Sequence, residues 1–178
     1  AGTMVDIGGG STELTSIKGG FDLAKTSIPQ GSLSSFANYV AGLMPTQKEV
    51  NAIAQAFREL AEKEETDVYH CTQLYGIGGS IRSAAKLYGD LCNNGNRFNY
   101  LLPEHIDAIL NRYAEDPNAF AHEALRTLPD RIHTLIPGCV IIREAFKLCG
   151  GERLDICKYG VREGYLAERV LVKPVSFA

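Results

Sequence analysis

Residues 6–13 read Asp-Ile-Gly-Gly-Gly-Ser-Thr-Glu. Three consecutive glycines, Gly8, Gly9 and Gly10, permit positive φ angles and leave no Cβ in the way of a ligand. Successive N–H groups can then converge on an anion as an amide nest. Ser11 and Thr12 add hydroxyl donors. Asp6 stands just before the turn and Glu13 just after it, so both carboxylates can face one ligand. Carboxylates beside a phosphate repel it unless a cation lies between them. The constellation therefore implies Mg²⁺ or Mn²⁺, hard ions that favour oxygen ligands, with Asp6 and Glu13 as the metal ligands. A plain glycine hairpin with exposed carboxylates at its ends is the competing reading, and the flanking Asp, Ser, Thr and Glu weigh against it. The segment is neither a Walker loop nor a dinucleotide fingerprint, since it lacks the Gly-Lys-Ser/Thr ending and the strand-to-helix setting.

A second glycine segment, Gly76-Ile-Gly-Gly-Ser-Ile-Arg82, follows an apolar run and opens a helical pattern. A helix amino end with glycine access is an anion or nucleotide contact. Gly78, Gly79 and Ser80 would approach the phosphate, and Arg82, one turn in, could hold it in bidentate fashion. Close strand–helix packing would also require glycine here, but the pairing with the first loop in one chain favours ligand contact. Gly160-Val-Arg-Glu-Gly164 reads as a surface ion pair with glycine packing. His70, His105, His122 and His133 show no metal-ligand spacing and read as ordinary surface or core residues.

The elements that must position these residues can be read from periodicity. Strands are expected over 3–7, 12–18 and 21–28. Glycine turns join them into an antiparallel meander. Helices are expected over 31–43 and 46–65, the second opened by a Thr46/Glu49 capping box and carrying Val50, Ile53, Ala54, Phe57, Leu60 and Ala61 on one face. A strand over 73–77 leads to a helix that continues to Leu91, and Pro103 opens another. Short helices follow over 119–127 and 130–136, the latter stopped by Pro137-Gly138. A buried helix over 139–149 is capped by Gly150-Gly151. A strand over 154–158 and a helix over 161–172 close the chain. The expectation is an α/β lobe with a mixed five-stranded sheet, flanking helices and a helical insertion at about 93–150.

The 178 residues are 45% hydrophobic and 22% charged, ordinary for a globular protein and enough for a sizeable core. A net charge of −3 argues against a nucleic-acid binder held by a broad basic face. The charge is uneven, with five Lys/Arg against nine Asp/Glu in residues 1–81 and thirteen against twelve thereafter. Lys86, Arg97, Arg112, Arg126, Arg131 and Arg162 are candidates for a cationic groove in the second half. Five cysteines, Cys71, Cys92, Cys139, Cys149 and Cys157, form no Cys-x-x-Cys pair, which argues against a zinc site or disulfide framework and for a reducing, cytoplasmic setting. No apolar run is long enough for a membrane span, and no signal peptide is evident.

Asp6 to Leu14 resembles the signature of the exopolyphosphatase / guanosine pentaphosphate phosphohydrolase (Ppx/GppA) family. Gly78-Gly-Ser80 with Arg82, Leu128-Pro-Asp-Arg-Ile132 through Pro137-Gly138, and Gly160 to Gly164 are similar to that family's later motifs, in order and over nearly the whole chain. The resemblance implies the actin-like ATPase fold, in which two ribonuclease-H-like lobes face each other across a cleft, with this chain as the second lobe. It implies Mg²⁺-dependent hydrolysis of phosphoanhydrides, with inorganic polyphosphate or guanosine penta- and tetraphosphates as partners. By motif match, Asp6 and Glu13 would be the catalytic pair, holding metal and orienting water. The main chain from Gly8 to Ser11, with the hydroxyls of Ser11 and Thr12, would cradle phosphate.

The opening lobe of the family, with its first phosphate loop and general-base Glu, is not in the 178 residues, so the chain alone is expected to be a poor catalyst. Where the family has Arg-Ala-Asp after Pro-Gly, this chain has Cys139-Val-Ile141. An ATP-dependent kinase or ATPase lobe of the same superfamily, and a non-catalytic sensor of polyphosphate or guanosine nucleotides, are the competing functions. A homodimer stays open.

Overall fold

The computed structural model describes residues 1–92, 94–160 and 166. Its sheet has the order β3-β2-β1-β4-β6-β5. β1 (Gly2–Ile7), β2 (Thr12–Lys18) and β3 (Phe21–Ile28) form the expected antiparallel meander. β4 (Gln73–Ile77) runs parallel to β1, and β6 (Arg153–Ile156) parallel to β4. The sixth strand, β5 (Tyr100–Leu101), pairs antiparallel with β6 and corrects the expected five. Two residues are too few for an alternating pattern to be visible in sequence.

The strand register sorts side chains by face. Thr3, Val5 and Ile7 of β1 stand on the same side as Thr12 and Leu14 of β2, Leu74 of β4 and Leu154 of β6, and all of these are buried. Asp6, Glu13 and Ser27 line up on the other side. Alternation thus places both carboxylates together, away from the apolar face.

The helices are α1 (Ser32–Tyr39), α2 (Gln47–Ala61), α3 (Gly79–Cys92), α4 (Pro103–Glu115), α5 (Pro117–Thr127) and α6 (Ile132–Cys149). α2 starts at the expected capping box: the Thr46 hydroxyl accepts from the Glu49 N–H, and the Glu49 carboxylate from the Thr46 N–H. It buries Val50, Ile53, Ala54, Phe57 and Ala61. α6 is one helix and runs straight through Pro137, which corrects the expected stop. Proline there gives up one bond to the carbonyl four residues back. Burial of Leu135, Ile136, Cys139, Val140, Ile141 and Ile142 offsets that loss. α6 packs against α1, α2, α3, α4 and β1, so it lies at the centre of the core. Gly150 ends it at φ 62°, in the left-handed conformation expected of a helix-capping glycine. The expected closing helix over 161–172, with Arg162 and Glu163, lies outside the described residues apart from Leu166.

Cys139 and Cys149 are buried, and burial pushes both thiols up to about 12. They behave as the small hydrophobes their setting suggested, and all five cysteines are free. Among the described residues no helix is long and apolar enough to cross a membrane.

Glu144 is the one buried acidic side chain among the described residues, at 2% exposure. It accepts from Arg58 on α2 at 2.9 Å and from Lys147 at 3.1 Å. Burial pushes its carboxyl up, but the hydrogen bonds and charges of Arg58 and Lys147 outweigh that and hold it below the ordinary 4.5. Its contribution is therefore present above that ordinary value and lost as pH falls through the folded-state value. Glu144→Gln is expected to flatten the acid side of a stability-against-pH profile from urea unfolding. An unchanged acid limb would contradict this role.

Candidate phosphate site

β1 ends at Ile7 and β4 at Ile77, and their parallel register sets Asp6 level with Ile77. The two glycine loops therefore emerge side by side. They touch at Gly78, whose φ is 109°. A Cβ there would lie 2.7 Å from the Ile7 carbonyl oxygen and 3.1 Å from Asp6 Oδ1. Glycine is required at 78 by conformation and by space.

Asp6 faces Glu13 directly across the β1–β2 ladder. The Glu13 carboxylate accepts from the Ser11 hydroxyl at 2.5 Å and the Ser27 hydroxyl at 3.1 Å. None of the ion pairs among the described residues involves Asp6 or Glu13. Burial, and next the Glu13 charge, raise the Asp6 carboxyl above its ordinary range, with Arg82 opposing. A half-buried carboxylate pair with no cation in contact is the donor set a hard divalent ion would complete. No group of three or more His, Cys, Asp or Glu assembles among the described residues. Asp6 and Glu13 alone offer two carboxylates, a set that suits Mg²⁺ only where phosphate and water would supply the remaining ligands.

The first loop is built differently from the expected amide nest. None of Gly8, Gly9 and Gly10 has a positive φ. The Gly8 N–H closes the turn on the Ser11 carbonyl at 3.0 Å and is not free for a ligand. The Gly8 carbonyl accepts from the Ser32 N–H, and the Gly9 carbonyl from the Leu33 and Ser34 N–H groups, at 2.8–3.1 Å. The loop thus caps the first turn of α1. Gly31 makes this possible, since a Cβ there would meet the Gly8 and Gly9 backbone at 2.6 Å. The N–H groups of Gly9, Gly10 and Ser11 make no hydrogen bond among the described residues, and Gly10 borders open space.

Thr12 is fully buried and donates its hydroxyl to the Gln30 carbonyl at 2.8 Å, so it cannot reach a phosphate. Thr12→Val is expected to cost about 1–2 kcal/mol of stability, because the Gln30 carbonyl loses its partner. Ligand affinity should not change. A binding titration beside an unfolding curve checks this, and lost affinity in a folded variant would restore the hydroxyl to the site.

A cleft of about 550 Å³ lies over the meeting point. Asp6, Gly8 and Gly9 line it with Ser32 and Leu33 of α1, Gly78, Gly79 and Ser80 at the start of α3, and Asp130, Arg131, His133 and Thr134 around the start of α6. The starts of α1, α3 and α6 line this one space; the first amides of α1 are already bonded to the Gly8 and Gly9 carbonyls, so an anion would be favoured at the amino ends of α3 and α6. Gly138 lets α6 approach, since a Cβ there would lie 3.2 Å from Ser80 Cβ. The Arg131 guanidinium lies over Gly79, with Nη2 2.6 Å from where a Cβ would stand. Arg131, expected in a cationic groove and within the Leu128–Ile132 motif, and His133, expected as an ordinary histidine, both line this cleft. Their convergence depends on how α6 packs, which no local pattern shows. Arg82, expected on the phosphate, does not line this cleft but borders the next pocket. Cys139, Val140 and Ile141 are buried in the core and do not line the cleft.

The model of the Ppx/GppA phosphatase family matches residues 1–173. No curated protein matches the chain. A crystal structure of the Aquifex aeolicus member of the Ppx/GppA family is similar at 26% identity and a TM-score of 0.75, covering 95% of this chain and 56% of that one. An exopolyphosphatase from Cytophaga hutchinsonii shares the fold at 17% identity and a TM-score of 0.75, covering 93% of this chain and 55% of that one. The chain thus spans little more than half the length of these structures and has their actin-like α/β fold. From this sheet, these loops and the family match, the chain belongs to the Ppx/GppA phosphatase family.

Proposed function

We propose that the chain is the second lobe of a phosphoanhydride hydrolase that releases terminal phosphate from inorganic polyphosphate or pppGpp. The observation that carries this reading is the cross-strand pair of Asp6, which lines the cleft where two glycine loops meet, and Glu13, which stands beside Asp6 on β2. Asp6 and Glu13 would hold Mg²⁺ or Mn²⁺, which when bound would neutralise charge on phosphate oxygens. The free amides of Gly9, Gly10 and Ser11, and those opening α3, would bind the other oxygens, with the Arg131 guanidinium over Gly79 as the cation. The Ser11 and Ser27 hydroxyls hold the Glu13 carboxylate in place for orienting water.

The cleft presents these groups from one side. Closing it over the reacting phosphate, excluding water and supplying a base require groups opposite, which the remaining length of the related structures would provide. Purified as 178 residues, the chain should release phosphate from polyphosphate or pppGpp at least about 10²-fold more slowly than the protein extended upstream. A phosphate-release assay with Mg²⁺ measures both. Comparable turnover by the short chain would overturn the two-lobe reading.

A further inference from the structure

Cys149 is the last residue of α6, and Cys71 stands two residues before β4. The two are far apart in sequence, yet the Cys71 N–H donates to the Cys149 carbonyl at 2.7 Å. The covalent spans on either side of that bond keep the two Cα atoms within about 6.5 Å. A disulfide spans about 4.4–6.8 Å between Cα atoms. The Glu152 and Arg153 N–H groups donate to the Thr72 carbonyl at 2.8 and 3.2 Å, which fastens the same two segments one step further on. The His70 ring lies against Gly150 and leaves no room for a Cβ there. The juncture is therefore held by the backbone and does not depend on mobile side chains.

Burial, and next the charge of Cys71, push the Cys149 thiol up to about 12, so the two sulfurs lie within electrostatic reach of each other. The remaining cysteines have other neighbours. Beyond burial, Cys92 feels Arg112, Cys139 feels Arg143 and Cys157 feels Asp155. The two paired thiols differ in access. Cys149 is fully buried and stays protonated at neutral pH. Cys71 is only half-buried, so a small oxidant meets it first. Phosphate release calls on neither residue, because the cleft lies at the other ends of β4 and α6.

We propose that Cys71 and Cys149 form a reversible disulfide within the chain when the protein meets a peroxide, and that this bond locks β4 to α6 at the end away from the cleft. The Cys71 thiolate attacks one oxygen of hydrogen peroxide and breaks the O–O bond. The hydroxide that leaves takes a proton and becomes water, and Cys71 is left as a sulfenic acid. The Cys149 sulfur then attacks the Cys71 sulfur and breaks its S–O bond. The departing hydroxyl leaves as a second water with the Cys149 proton. Two thiols are oxidised by two electrons and one peroxide is reduced to two waters. Thiols reverse the bond by exchange. The closed loop runs from β4 through α6 and includes α3, α4 and α5. Closing so long a loop removes freedom from the unfolded chain and stabilises the folded one.

The test is treatment of the 178-residue chain with hydrogen peroxide, alkylation of the remaining thiols, and peptide mapping without reductant. Free thiols should fall from five to three, with Cys71 linked to Cys149 in one chain. The melting midpoint should rise by at least about 4 °C and return on adding dithiothreitol. Cys71→Ser should remove both the link and the rise, and Cys157→Ser should keep both. Cys71 recovered as sulfinic or sulfonic acid beside a free Cys149 thiol would overturn the proposal. So would a bond between two chains or to another cysteine, a midpoint that does not rise, or a rise that survives Cys71→Ser.

Discussion

Asp6→Asn is expected to leave the fold at least as stable in metal-free buffer and to abolish the stabilisation that millimolar Mg²⁺ or Mn²⁺ gives the unmodified chain. Asp6 and Glu13 are opposite on adjacent strands, where like charges destabilise. Burial and Glu13 together raise the Asp6 carboxyl. A carboxyl raised in the folded state opposes folding once ionised, so its cost grows as pH rises through the folded-state value. Neutralising it removes that cost and removes half of the proposed metal site. A cation at ten times its dissociation constant adds about 1.4 kcal/mol, which for a chain of this length shifts the melting midpoint by about 3–6 °C. Thermal unfolding with and without metal reads both effects. An equal metal shift in Asp6→Asn would remove Asp6 from the site. A large loss of stability would show that its carboxylate is structural.

Gly78→Ala is expected to have the largest effect on the fold of any single methyl addition in the site. The residue sits at φ 109°, and the new Cβ would press on the Ile7 carbonyl and the Asp6 carboxylate together. Strain of this kind costs about 1–3 kcal/mol, and the clash with backbone adds to it. Relief requires the β4–α3 loop to move away from β1, which separates the two halves of the site. The variant should therefore lose phosphate affinity even under conditions where it remains folded. Gly42→Ala is the matched control, because a Cβ there meets only the Met44 carbonyl oxygen at 3.7 Å and lies outside the site. Urea unfolding and triphosphate titration of the two variants make the comparison. Equal behaviour would contradict the account of the loop contact.

What could be read from sequence follows the range of the interactions involved. Asp6, Glu13 and the glycines lie within eight residues of one turn, and strand alternation alone places the two carboxylates together. The start of α2 followed from Thr46 and Glu49 and its buried face from an apolar stripe, all local, whereas the helix ends at Ala61, short of the expected 65. Pro137 misled because its backbone cost is local while the apolar burial that offsets it is tertiary. Thr12 was assigned to the ligand because a hydroxyl in the motif looks available. Which way it points is set by Gln30, eighteen residues on. Arg82 was placed on the phosphate by its distance from the glycines along the chain. A residue three positions into a helix projects sideways, however, while the N–H groups point along the axis. Arg131 and His133 reach the cleft only because α6 packs its amino end against α1 and α3.

The proposed function requires that Asp6, Glu13 and the paired glycine loops act together as a metal-dependent phosphate-releasing site. Phosphate release from polyphosphate and pppGpp with Mg²⁺, measured on the upstream-extended protein and its Glu13→Gln variant, tests it most directly. Glu13→Gln is expected to lose about 10²–10⁴-fold in turnover with the melting midpoint preserved. Turnover unchanged in a folded Glu13→Gln protein would contradict it.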